Sequence, residues 1–391
     1  MTGRKTLLMK DNLQANEVIT GAKLYGAYIS CVRRKVNKLS HATYFFYLEK
    51  NLLCLLERLQ NRSYSPESYR CFVVKKPVIR EVFAPAFQDR IVHHLLVREL
   101  EPFFEKLFIY DSFACRAGKG THLAMRRLKS GLQSLEDSHG NGYFLKLDVS
   151  AFFISIDKNI LLKLLHKHIY KIAYKKNKST LWVSEILWLC EVIIKSDPVK
   201  SYHKCGQLDL FEQVPRHKSL FHTAAGKGLP IGSLTSQFFA NIYLNELDQF
   251  CKRALKCYYY YRYVDDFVIL NQSRKTLEEL HAKIERFLDD RLALSLNMNK
   301  TVIGPTQKGI DFVGYIVRNK YVLVRHSTVK RMEKRVSILR EQSVHIGYEL
   351  HQLESFNASI SSYRSVLCHA NGWKLYSKFI GLPPHRLTAN I

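Results

Sequence analysis

The segment Tyr261-Arg262-Tyr263-Val264-Asp265-Asp266-Phe267-Val268-Ile269-Leu270 places two adjacent acids inside an otherwise aromatic and β-branched run. Such a run reads as strand, so the chain must form a sheet here and yet accommodate two neighbouring carboxylates. Buried or half-buried charges need a compensating partner. Arg262, the only cation of the segment, cannot neutralise both acids, which leaves two solutions. Either the pair sits in an ordinary surface turn between two strands, or a divalent cation lies against it.

A second carboxylate bears on that choice. Asp148 ends the apolar run Tyr143-Phe144-Leu145-Lys146-Leu147, and Phe152 and Phe153 follow closely. Two acidic strand ends can meet. Mg²⁺ takes one or two carboxylates together with substrate phosphates, so acids from two strands suit a pair of such ions. That pair would activate a hydroxyl nucleophile and stabilise the leaving pyrophosphate of an in-line displacement. The chemistry implied is nucleotidyl transfer.

Charge agrees. The chain of 391 residues has 60 Lys plus Arg against 34 Asp plus Glu, a net +26 spread along its length, which points to a polyanionic partner. The basic residues alternate with aromatic and aliphatic segments, which suits a folded groove on nucleic acid better than a helix on a membrane. With 47% hydrophobic residues the chain fills a real core in two or three subdomains. Nine cysteines form no C-x-x-C pair and the histidines no zinc-finger spacing, so reduced core thiols are expected. The apolar stretch 181–194 carries Glu185 and Glu191 and is too short to span a bilayer. Together with an N-terminus too broken for a signal peptide, this predicts a soluble intracellular protein.

Along the chain, residues 1–68 read as helical, with a basic segment at 28–38. Short β-branched runs at 71–74 and 81–83 predict a hairpin whose tip is Lys75, Lys76 and Pro77. Helix is expected over 90–108, strand over 143–148, and helix again from Ile156. Residues 170–227 read as an irregular insertion holding the basic run 171–178 and one apolar helix. A turn at Gly228 leads into a helix through Ser236 to Lys256, followed by the strands that flank Val264. The alternation indicates an α/β sheet domain, and a basic helix follows His326.

Several of these segments carry a family resemblance. Leu147-Asp148-Val149-Ser150-Ala151-Phe152-Phe153 and Tyr263-Val264-Asp265-Asp266 resemble motifs A and C of the reverse-transcriptase palm. Pro77 to Arg80 with Gln88-Asp89-Arg90 resemble the fingers motifs, Gly118-Lys119-Gly120-Thr121-His122 the segment before the palm, and Gly228 to Asn241 motif B. Leu296-Asn297 with Lys300-Thr301 resembles motif D, and Asp311-Phe312-Val313-Gly314-Tyr315 the primer grip. Motif B departs from the usual pattern: Ile231 stands where Gln ordinarily precedes the glycine, and Gln237 where Pro follows the serine. Both departures are similar to the reverse transcriptases of diversity-generating retroelements, bacterial relatives of group II intron enzymes that copy RNA with frequent errors at template adenines.

The resemblance implies a right-hand polymerase: an N-terminal helical extension (1–68), fingers (69–142), palm (143–320, with the insertion at about 170–227), and a helical thumb and tail (321–391). It makes Asp148 and Asp265 ligands of two Mg²⁺ ions, with Mn²⁺ as a substitute, Asp266 a supporting carboxylate, and the Val149 carbonyl a further metal contact. Arg80 would grip the triphosphate, Phe153 would exclude a ribose 2′-hydroxyl, and Lys300 would protonate pyrophosphate. Ile231, Gly232 and Gln237 would border the nascent base pair, where Ile231 offers no hydrogen bond and loosens base selection. Phe312, Gly314 and Tyr315 would grip the primer. Arg90, Lys330 and Lys334, with Arg331 and Arg335 one turn apart on the same helix, would meet template and primer phosphates. Each has a bland alternative: a core Phe, a loop charge, a solvated helix face.

The implied partners are an RNA template, a DNA or RNA primer and dNTPs, with a small accessory protein or an oligomer as further candidates and no membrane. The same broad class serves antiviral defence, which is the rival setting, and a non-catalytic RNA-binding scaffold is a rival of another kind. About fifty residues follow the expected thumb, without a Cys/His cluster of the intron-endonuclease type or an added acidic set, so neither intron mobility nor ribonuclease H action is expected.

Overall fold

The computed structural model describes residues 16–33, 39–75, 78–345 and 350–380. The segments 1–15 and 34–38, Lys76 and Pro77 of the expected hairpin tip, and the tail from residue 381 lie outside the described residues. In chain order the regular elements are α1 (Gly21–Val32), α2 (Leu39–Phe46), α3 (Leu48–Gln60), β1 (Tyr69–Val74), β2 (Arg80–Ala84), α4 (Phe87–Phe104) and α5 (Thr121–His139). There follow β3 (Tyr143–Asp148), α6 (Phe152–Ser155), α7 (Lys158–Lys176), α8 (Thr180–Lys195), β4 (Tyr202–Lys204), α9 (Leu234–Gln249), β5 (Tyr259–Tyr263), β6 (Asp266–Asn271) and α10 (Arg274–Leu292). The chain continues through β7 (Val302–Pro305), β8 (Ile310–Phe312), β9 (Tyr315–Val317), β10 (Val322–Val324), α11 (His326–His345), α12 (Leu350–Cys368) and α13 (Trp373–Ile380).

The α/β class read from the sequence holds. Two compact units divide the chain: the first takes residues 1–109, 150–247 and 287–294, the second 110–149, 248–286 and 295–391. In the first, β1 and β2 form the expected antiparallel hairpin, and β4 joins β1 in parallel. Glu81, buried on β2, accepts hydrogen bonds from the Ser219 hydroxyl (2.6 Å) and the Leu220 N–H (2.9 Å), tying the irregular 196–227 stretch to that sheet. The segment expected to be irregular from residue 170 is regular as far as Lys195, because α7 and α8 pack as a helical hairpin; Asp157 and Ser179 cap their N-termini.

The second unit holds a four-stranded sheet in the order β5-β6-β3-β7, with β3 antiparallel to both neighbours, and a three-stranded sheet β10-β9-β8. Helix α5 covers one face of the larger sheet with Leu128, Leu132 and Leu135. Gly131 lies where any Cβ would collide with the Tyr261 hydroxyl at 1.9 Å, so this mid-helix glycine is required by the close approach of helix and sheet despite its conformational cost. Along α11, Val329, Met332 and Val336 recur at three- and four-residue spacing and are buried, leaving Lys330, Arg331, Lys334 and Arg335 outside. The expected burial of the cysteines is corrected at four positions: Cys54, Cys115 and Cys368 are exposed and Cys205 is half-buried, and no disulfide is formed. Among the described residues no helix is long and apolar enough to cross a membrane.

Candidate active site

Strand register assembles the acids. β3 pairs with β6 so that Asp148 stands directly opposite Asp266, while Tyr263 faces Asp266 across β5 and β6, leaving Val264 and Asp265 as a two-residue turn. Like charges directly opposite on a sheet repel. The alternation of strand side chains puts Lys146, two residues before Asp148, on the same face, and its ammonium lies 3.4 Å from Asp266 Oδ2. Lys300 reaches the other acid: its Nζ donates to Asp148 Oδ1 and Oδ2 at 2.9 and 2.8 Å. Asn297 adds its backbone N–H to the Asp148 carbonyl (2.8 Å) and its side-chain amide to Oδ1 (3.3 Å). The Val149 N–H donates to the Asp265 carbonyl at 3.2 Å, joining the two acidic segments through the backbone.

Burial, with the charge of Asp148 added, raises Asp265 from the ordinary carboxylate value to about 6. Asp266 is also raised to about 6, by burial first, against which Lys146 pulls it down while Asp148 pushes it up. Burial opposes the charge of Lys300, but its bond to Asp148 and the nearby carboxylates outweigh that and raise it. One atom is left over: Asp266 Oδ1 is buried with no hydrogen-bond partner. A buried carboxylate oxygen without a donor is the environment a cation would satisfy. Among the described residues no group of three His, Cys, Asp or Glu is arranged to chelate an ion unaided. Mg²⁺ needs no such cage where substrate phosphates complete its shell, so the residues present fit divalent cations.

The turn between the acids is strained. Val264 has φ +56°, a region that β-branched residues rarely enter and that costs about 1–3 kcal/mol. Arg262 holds it there. Its side chain lies on the sheet face opposite to Asp148 and Asp266, is wholly buried, and donates from Nη1 to the Val264 carbonyl at 2.9 Å. Its other nitrogens bind Asp248, Nε to Oδ1 at 2.7 Å and Nη2 to Oδ2 at 2.6 Å, and Nη2 also reaches the Ser112 hydroxyl. The Tyr260 hydroxyl completes the cluster at Asp248 Oδ1, 2.7 Å away. The sequence reading held that Arg262 cannot neutralise both acids; its ion pair is with Asp248, and it acts on the turn through a carbonyl. Asp248 and Lys146 were missed. Lys146 was legible from the period of two along β3, whereas nothing local marks Asp248, which α9 delivers from fourteen residues away.

The remaining sequence-predicted residues fall in two groups. In the second unit, Phe312 is fully buried in the core, and Val313 (φ +45°) and Gly314 (φ +90°) form the turn between β8 and β9. Tyr315 donates to the Val366 carbonyl (3.2 Å) and meets His122 Nδ1 (3.1 Å), and burial pushes its hydroxyl up to about 12. A cavity of about 430 Å³ lies beside Gly314 and Tyr315, lined also by Thr121, His122, Arg331 and Ser362. Arg331 and Thr328 are thus the α11 residues at that cavity, while Lys330 and Lys334 are exposed and do not line it.

In the first unit, Arg80 opens β2 opposite Val74. Arg90 lies over the Phe87 ring at 5.4 Å with its Nε buried and unpartnered, and burial lowers its pKa. Phe152 is buried and Phe153 half-buried, and the Phe153 carbonyl accepts from the Leu229 N–H at 2.8 Å. The Ile231 carbonyl accepts from the Phe83 N–H at 2.8 Å, so this loop is laid against β2 by its backbone. Gly232 follows at φ +118°, where a Cβ would meet Val82 at 2.8 Å and the Phe83 carbonyl at 2.9 Å. Gln237 is exposed on α9. Behind the loop, Ser233 bonds both His93 Nδ1 (3.0 Å) and Thr235 (2.8 Å); His93 was not foreseen, and burial lowers it to about 3, keeping it neutral.

Two antiparallel strands thus meet at opposed aspartates, with a third aspartate in the tight hairpin turn beside them. The sequence profile of the family described as reverse transcriptase (RNA-dependent DNA polymerase) matches residues 74–317, more than half of the chain, and the chain belongs to that family. It is 26% identical over 302 residues to Protein YkfC of Escherichia coli (strain K12), covering 68% of this chain and 71% of that protein. It is 21% identical over 353 residues to the group II intron-encoded protein LtrA of Lactococcus lactis subsp. cremoris, covering 74% of this chain but only 52% of LtrA. A telomerase structure from Candida albicans aligns with 82% of this chain and 56% of its own, at 13% identity and a TM-score of 0.45.

Proposed function

We propose that this protein copies an RNA template into cDNA, with Asp148, Asp265 and Asp266 as its catalytic carboxylates. The observation that carries the reading is the register that sets Asp148 opposite Asp266 with Asp265 in the adjoining turn, inside a chain of the reverse-transcriptase family. Asp148, Asp265 and the Val149 carbonyl would hold two Mg²⁺ ions, or Mn²⁺ in their place, with Asp266 in support. Bound there, the ions supply the Lewis acidity that makes a primer 3′-hydroxyl nucleophilic and stabilises departing pyrophosphate. The chain's own contributions are electrostatic and positional. Lys300 and Lys146 offset the carboxylate charge, Lys300, held on Asp148, would donate a proton to the leaving phosphate, and Arg262 fixes the turn.

The finer reading is error-prone synthesis of the retroelement kind. It is supported by Ile231, which brings no polar side chain to motif B and whose carbonyl accepts from the Phe83 N–H. The experiment is extension of a labelled primer on RNA and DNA templates with Mg²⁺ and dNTPs, comparing wild type with Asp265→Ala and sequencing the products. Template-dependent DNA that the variant fails to make supports the polymerase, and errors clustered opposite adenine, reduced in Ile231→Gln, support diversification. Accurate or template-free products assign the enzyme to the antiviral setting. No product, even with cellular RNA and candidate accessory proteins supplied, overturns the catalytic reading in favour of a scaffold.

A further inference from the structure

Between Asp157 and Glu185 the chain carries no acidic residue and seven lysines, and most of that stretch is α7. Some of these lysines are occupied. Lys158 donates to the Ser196 carbonyl, Lys178 lies over the Phe103 and Trp182 rings, and Lys167 pairs with Glu246 at 3.1 Å. Lys163, Lys171 and Lys175 are exposed and, among the described residues, have no acidic partner.

Helical geometry puts the exposed residues together. At 100° per residue, Lys163, Lys167, Tyr170, Lys171 and Tyr174 fall on one side of α7, while Leu161, Leu165, Ile169 and Ile172 are buried on the other. Tyr170 and Tyr174 stand one turn apart on the solvent side, 58% and 91% exposed, and Tyr174 lies between Lys163 and Lys167 in azimuth. From Lys163 to Lys175 the row runs roughly 18 Å.

A lysine row alone is usually a solvated face, and Lys175 and Lys176 also complement the C-terminal end of the helix dipole. Two tyrosines held out in water among those lysines do not fit that account, since each exposes a large ring that contributes nothing to the core. Flat aromatic rings set among spaced cations match a single-stranded nucleic acid, whose bases stack and whose phosphates pair. A protein partner would need an apolar centre or acidic complement, and the neighbouring His166, 6.3 Å from Tyr170, adds another ring instead.

We propose that the outer face of α7 is a binding surface for single-stranded RNA, separate from the catalytic carboxylates. Lys163, Lys171 and Lys175 pair with phosphates, and Tyr170 and Tyr174 stack on bases. The surface does not depend on the polymerase reading, because all its residues lie outside the motifs that carry that reading.

The test measures, by anisotropy, how the full chain binds a labelled, unstructured single-stranded RNA across a salt series, with the catalytic site occupied by a short unlabelled template–primer duplex. Two variants are compared with wild type: Lys163→Gln/Lys171→Gln/Lys175→Gln and Tyr170→Ala/Tyr174→Ala. The lysine variant is expected to bind at least tenfold more weakly and to lower the salt slope by about 2, near 0.7 for each phosphate that is no longer neutralised. The tyrosine variant is expected to bind at least fivefold more weakly with the slope unchanged. Extension of the short duplex stays at the wild-type level in both, which verifies folding. Wild-type affinity and slope in both variants overturn the proposal and leave the face to solvent or to a protein. Asp265→Ala separates the two readings: it is expected to abolish extension and leave this RNA binding intact.

Discussion

The hairpin at Val264 in the second unit and the loop at Gly232 in the first both hold backbone in a conformation that side chains avoid, and they do so by opposite means. At Val264 the chain keeps a β-branched residue at φ +56° and restrains it from outside, through a buried arginine whose charge is in turn fixed by Asp248. At Gly232 the side chain is absent altogether, so the backbone lies against the Phe83 carbonyl, with the neighbouring Ile231 carbonyl and Ser233 hydroxyl bonded on either side. A site that concentrates charge is held by charge; a site that needs a close approach is held by removing atoms. The first arrangement is sensitive to distant partners, the second to any added carbon.

The comparison breaks most sharply at the acids. Asp265→Asn is expected to remove primer extension entirely while leaving the fold intact. Next in size is Asp248→Asn, which strands the buried Arg262 charge; breaking such a pair costs about 3–5 kcal/mol, visible as a lower urea midpoint. The double change Arg262→Met/Asp248→Leu separates stability from positioning. It is expected to recover most of the midpoint, because well-packed apolar residues replace buried pairs well, yet to keep kcat low because the Val264 carbonyl has lost its donor. Recovery of kcat with stability would show that the pair only holds the fold.

Gly232→Ala is expected to cost about 1–3 kcal/mol locally and to raise the KM for dNTPs more than it lowers kcat, as read by steady-state extension. Titration gives a smaller effect with a definite sign. Asp265 and Asp266 are raised in the folded chain from 3.8 to about 6, so the penalty of ionising them is fully present above about pH 6 and fades as pH falls from there towards 4. In chelator, Asp265→Asn should therefore melt higher than wild type at pH 7.5, with the difference lost by pH 4. Smallest is Val264→Gly, which exchanges φ strain for backbone entropy and should shift stability by about 1 kcal/mol or less.

Much of this was legible in the sequence because it rests on short-range pattern. The strands over 143–148 and around Val264, the hairpin of β1 and β2, and the amphipathic α11 follow from alternation or three- and four-residue spacing within a few residues. The aspartates stood out because charge inside an apolar strand is costly wherever the strand goes. Lys146 could have been added by the same period. The apolar helix over 181–194 was expected and is α8, whereas the helical continuation through 170–176 was missed because α7 is amphipathic on a lysine-rich background that masks its apolar face.

The sequence by itself therefore determined the element types, the basic character of the chain and the three carboxylates, since these depend on the covalent order and local periodicity of side chains. Only the tertiary structure decided which acid faces which, that Arg262 belongs to Asp248, that Lys300 reaches Asp148 from 152 residues away, and that His93 lies behind Ser233. The physical reason is that register and helix packing are settled by burial summed over the whole core, and a buried ion pair or hydrogen bond takes whichever partner that packing delivers.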